Sequence, residues 1–120
     1  MTQEKQLLLQ DICGRLPYRV IGLIRIVNGN DYNIIITGGD IDLLSQHFIT
    51  IKHYLRSMSS MTKDEQEELK RVALVDNEGV PGDIPAYIDW LNKKMFDYRG
   101  LIPMGLALEA PEGMYNLKVR

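Results

Sequence analysis

The chain is poor in the residues that build most enzyme sites. It holds one cysteine, Cys13, and two histidines, His47 and His53, in 120 residues. A single thiol excludes an intrachain disulfide framework and a metal cage of thiolates. With Leu8, Leu9, Ile12 and Leu16 at helical spacing around it, Cys13 is expected on a buried stripe as a small apolar residue. The histidines are not spaced to place two ligands on one helical face, and neither has an acidic pair beside it. Both are expected on the surface.

Long apolar runs are missing too. The longest, residues 20–27, is interrupted by Arg25 and is far too short to span a bilayer. The opening MTQEKQLLLQDICGRL lacks a sustained apolar core, so no export signal is expected and the chain reads as cytoplasmic, with no membrane partner. There is no basic surplus either. Lys and Arg number 14 against 16 Asp and Glu, a net charge of −2, which argues against nucleic acid as a partner. The sequence contains no G-x-S-x-G, P-loop, G-x-G-x-x-G or H-E-x-x-H pattern. No catalytic residue, metal or cofactor is therefore assigned.

What is present is an ordinary globular composition, 45% hydrophobic and 25% charged, with no repeat and no break. One domain over residues 1–120 is expected. The N-terminal segment predicts a helix that stops near Cys13, with Gly14 free to cap it and Pro17 unable to continue it. Two Val/Ile-rich runs flank Asn28-Gly29, a pair that tolerates positive φ, and predict a β-hairpin over about 18–37 closed by Gly38-Gly39. Arg19 and Arg25 share parity with Ile21 and Leu23, so that face of the hairpin is read as partly wet.

A helix is expected over about 41–48 with Asp40 as N-cap, while residues 48–55 suit either a helix or a strand. Thr62 and Glu65 form a capping box that starts a helix with a solvated charged face, where Glu67 and Arg71 stand four apart. Residues 75–83 are turn chemistry throughout. Asp83 and Pro85 then open a helix whose apolar stripe is Ile84, Ile88, Leu91, Met95 and Tyr98, with Gly100 as its left-handed cap. Beyond Pro103, LALEA predicts a short last strand, and residues 111–120 read as a tail.

Four residues stand out as candidates for binding. Trp90 falls off its helix stripe, which makes it either an exposed anchor or a sign that the helix is buried on two sides. Tyr98 neighbours Asp97 and Arg99, and those two charges are what local structure explains least.

The segments SSMT (59–62), DWLN (89–92), FDYRGLI (96–102) and GLALEAPEGMY (105–115) resemble a group of small uncharacterised proteins of phages, prophages and mobile elements of gut anaerobic bacteria. The resemblance covers about the C-terminal half and implies an accessory protein, with no activity to assign to any residue. Members of that group often carry two histidines before the Phe-Asp pair. Lys94 and Met95 stand there in this chain, so a metal at that place is not implied.

The sequence thus predicts an α+β fold: a small antiparallel sheet built on the hairpin at about 18–37, with two to four helices packed on one face. The expected function is non-enzymatic binding of a host or phage protein, with oligomeric state open. The alternative is a small-ligand or nucleotide-binding module drawing phosphate donors from Arg19, Arg25 and Arg99.

Overall fold

The computed structural model describes residues 2–26 and 29–115. Asn28 of the expected turn and the last five residues of the expected tail lie outside them. Eight elements follow in the order α1 (Gln3–Arg15), β1 (Ile21–Ile26), β2 (Asp31–Ile35), α2 (Gly38–Ser45), β3 (Ile49–Leu55), α3 (Lys63–Val72), α4 (Ile84–Lys93) and β4 (Leu108–Glu109). The strands form one sheet in the order β2-β1-β3-β4. It is α+β, as expected. The pairs β2-β1 and β1-β3 are antiparallel, and β4 joins parallel to β3 through Tyr54 and Leu55.

The hairpin register sets Ile24 opposite Tyr32 on one side and Ile51 on the other. Because side chains alternate across a strand, Ile24, Ile49, Ile51, His53 and Leu55 share one buried face. Leu8 and Ile12 of α1 and Leu44 of α2 close over it. The opposite face carries Arg25, Thr50 and Lys52 and is wet, as the parity of Arg25 predicts.

Of residues 48–55, Ile49–Leu55 form the strand β3. β-Branched residues outweigh the helical spacing here because β1 offers a ladder to pair with. Gly38 and Gly39 do not close β2 as expected; they open α2. Thr37 is the N-cap, and Asp40 returns a bond to its backbone N–H as the third helical residue of a capping box. The same reciprocal bonds join Thr62 and Glu65, as predicted. The four-residue pair of Glu67 with Arg71 is replaced by a long, exposed contact of Glu67 with Lys70.

Helix ends depart from expectation in a shared way. α1 runs to Arg15, so Gly14 is helical and Cys13 is exposed, because the buried stripe is Leu8, Asp11, Ile12 and Arg15. α2 and α4 each finish in the paired bonds of a Schellman cap, for example Phe96 N–H to Leu91 O and Met95 N–H to Asn92 O, and α3 finishes in the outer bond of that motif, Val75 N–H to Lys70 O. The left-handed position in these caps belongs to His47, Leu74 and Met95, at φ 66°, 54° and 63°. None is glycine. Gly100 is left-handed too, at φ 76°, but in the following turn.

Two clusters make up the interior. One lies between the sheet and α1, α2 and the 101–107 segment. The other is smaller and belongs to the α3–α4 pair: Leu69, Ala73, Trp90, Leu91 and Phe96.

Candidate functional site

Three of the sequence candidates, Asp97, Tyr98 and Arg99, lie in the turn after α4, where the two clusters meet α1. The Asp97 carboxylate accepts the backbone N–H of Leu101 at 2.8 Å and of Ile102 at 2.9 Å. It therefore organises the turn that sends the chain back to the sheet. Arg99 donates through Nε to Asp11 Oδ1 at 2.9 Å and through Nη2 to the Tyr98 hydroxyl at 3.2 Å. That hydroxyl in turn donates to Asn92 Oδ1 at 2.9 Å. The guanidiniums of Arg15 and Arg99 lie over the Tyr98 ring, 5.2 and 5.1 Å from its centre.

Asp11 is the centre of this arrangement. Its Oδ2 receives Arg15 Nε at 2.9 Å and His53 Nε2 at 2.6 Å, and its Oδ1 also receives Arg15 Nη2 at 3.1 Å. Asp11, Arg15 and His53 are all fully buried. Burial pushes the Asp11 carboxyl up. The hydrogen bonds from His53 and Arg15 and their charge outweigh it and hold the group down at about 2. Arg15 continues outward from α1, donating to the carbonyls of Phe96 at 2.7 Å and Leu91 at 3.4 Å. A buried guanidinium thus bolts the α3–α4 unit to the helix that covers the sheet.

His53 contradicts its expected surface place. With a carboxylate on Nε2, that nitrogen carries the hydrogen, and Nδ1 has no partner among the described residues. An Asp–His pair is also a component of nucleophile-activating triads. Here both carboxylate oxygens are already filled by arginines, the pair is sealed from solvent, and none of the groups bonded to it is a hydroxyl or thiol. The pair joins α1 to β3.

Trp90 is also in the interior. It is 5% exposed and stacked on Phe96, with ring centres 5.7 Å apart and planes 15° apart. The helix is buried on two sides, and Ile84, expected on its stripe, is out in solvent. Arg19 is exposed, and Arg25 is engaged by Asp31 at 2.8 Å at the hairpin end. Arg99 is committed to Asp11. The three arginines do not converge on one cavity.

A cleft of about 920 Å³ lies between the β3–α3 connection and the chain after β4. Its cations are already paired: Arg56 with Glu65 at 2.7 Å and Lys94 with Glu68 at 3.6 Å. The bond from Arg56 chiefly holds Glu65 at about 2. Asp64, Glu109 and Glu112 also line the wall, so the cleft presents carboxylates to any phosphate. Among the described residues no group of three or more His, Cys, Asp or Glu is placed to hold a metal ion.

A different feature faces solvent at the far end of α3 and α4. After α3 the chain turns at Leu74 and forms a small bridge of Val75 with Pro81, with Gly82 N–H bonded to Leu74 O at 2.9 Å. The Asp76 carboxylate ties the tip by accepting the N–H of Glu78 and Val80, each at 2.9 Å. Leu74, Ile84 and Val80 are 66%, 62% and 55% exposed on this tip. Leu74 is the residue in the left-handed cap. It was missed because a leucine in sequence reads as core; the signal was a helix end with no glycine to close it.

These features define a small α+β protein with an ion-paired interior, an acidic cleft and an apolar tip. Compared with protein-family models, with curated proteins and with solved structures, the chain matches none.

Proposed function

We propose that this chain is a non-enzymatic binding protein that engages a protein partner through the tip formed by Leu74, Val80 and Ile84. The observation that carries this reading is Leu74. A bulky residue in the left-handed region costs about 1 kcal/mol or more relative to glycine, and here it leaves its side chain in water. A fold gains nothing from either. A binding surface gains a fixed apolar anchor, since the bond from Val75 N–H to Lys70 O and the Asp76 turn hold it in place before a partner arrives. The resemblance of the C-terminal half to phage and mobile-element proteins supports an accessory role, with a host or phage protein as partner in the cytoplasm. No helix among the described residues is long and apolar enough to cross a membrane.

Affinity capture from the host cell tests the reading when run with matched variants. A specific co-purifying protein is expected with the native chain and is lost with Leu74→Gly and with Ile84→Ser. Equal retention by all three refutes the tip as the contact. The nucleotide alternative is not favoured, because the cleft is acidic and the three arginines lie apart.

A further inference from the structure

A second surface on the molecule has its own geometry, independent of the tip: the outer edge of β2. β2 is the first strand in the sheet order, and β1 is the one element that packs substantially against it among the described residues. All its side chains but Ile34 are exposed. It carries no proline, no lysine and no bulge in its register with β1, and its one charge, Asp31, is paired with Arg25.

The free backbone groups can be assigned. Ile36 N–H bonds Val20 O at 2.9 Å, so Ile36, Ile34 and Tyr32 point their backbone groups at β1. By alternation, Asp31, Asn33 and Ile35 point theirs outward. These three positions form a symmetric set about Asn33.

We infer that two copies of this chain pair antiparallel through β2, about a two-fold axis at Asn33, to make one continuous sheet. In that register Asn33 faces Asn33 of the second copy and Asp31 faces Ile35. Every outward N–H and C=O of the strand then finds a partner. Tyr32 comes to lie beside Ile34 of the other copy on one face, an apolar cross-strand pair formed twice. No like charges meet, because Asp31 lies opposite Ile35 and is already neutralised by Arg25 at 2.8 Å. The Asn33 amide supports the same axis: its Oδ1 accepts from Tyr54 at 3.0 Å, leaving its N–H₂ free to donate across it. A five-residue edge buries less than a standard interface, so the dimer is a dissociable one.

Sedimentation equilibrium of the full chain over a wide concentration range tests this. The native chain is expected to approach a dimer at high concentration. Ile35→Lys, which places a charge at an already exposed edge position, is expected to weaken association by about tenfold or more, with the circular dichroism unchanged. The register is tested by oxidising Asn33→Cys and, separately, Ile35→Cys, each in a Cys13→Ser background. Disulfide dimers are expected at position 33, where the two copies meet, and not at 35. A native chain that stays monomeric throughout overturns the inference, as does crosslinking at 35 in preference to 33.

Discussion

Asp11 on α1 and His53 on β3 meet at 2.6 Å, both fully buried, with Arg15 closing the other side of the carboxylate. Removing the carboxylate from such a cluster leaves the buried Arg15 guanidinium without its counter-charge. Asp11→Asn is expected to destabilise the fold by about 3 kcal/mol or more. The midpoint of urea unfolding, read with its slope, measures this. An unchanged midpoint would show that the network contributes nothing to the joint between α1 and α4.

Acid should act on the same carboxylate. Its folded value of about 2 lies below the ordinary 3.8. Stability from that difference is complete above 3.8 and is lost as pH falls towards 2, amounting to roughly 2 kcal/mol. Unfolding free energies measured from neutral pH down through this window should fall for the native chain. Asp11→Asn, which lacks the titrating group, should show a shallower decline.

Leu74→Gly is expected to raise stability by about 1 kcal/mol, since it relieves the left-handed cap and gives up a side chain that is already 66% exposed. Thermal unfolding reads this directly. A variant more stable than the native chain yet unable to retain the partner would show that the leucine is kept for contact. A loss of stability would refute the cap argument.

Tyr115 completes a ladder that runs out of strand. Its hydroxyl accepts Ile21 N–H at 2.7 Å and donates to Tyr54 O at 2.9 Å, closing the gap between β1 and β3. Burial pushes it up to about 12. Tyr115→Phe keeps the ring but orphans the Ile21 amide, so a loss of about 1–2 kcal/mol is expected. Hydrogen exchange at Ile21 should quicken in that variant.

Much of the fold was legible locally. The capping box at Thr62, the N-cap at Asp83 and the hairpin rest on contacts between near neighbours in the chain, which composition encodes, whereas the short last strand is completed only by β3. Residues 48–55 were not legible, because helix and strand spacing coincide there and only pairing with β1 chooses between them. The candidate site was half legible: Asp97 and Arg99 stood out as unexplained, yet their partners on α1 did not. The signal existed. Leu8, Asp11, Ile12 and Arg15 follow helical spacing, and an opposite-charge pair on such a stripe is what a buried ion pair looks like in sequence.

The sequence by itself determined the hairpin, the helix starts at Thr62 and Asp83 and the α+β class, since these follow from backbone preferences and apolar periodicity. Only tertiary structure decided that His53 and Trp90 are buried, that Cys13 and Ile84 are exposed and that Leu74 stands out in water. Burial is a property of what packs against a residue. For Asp11 that means Arg99, brought from the far end of the chain, and nothing in the residues beside Asp11 announces it.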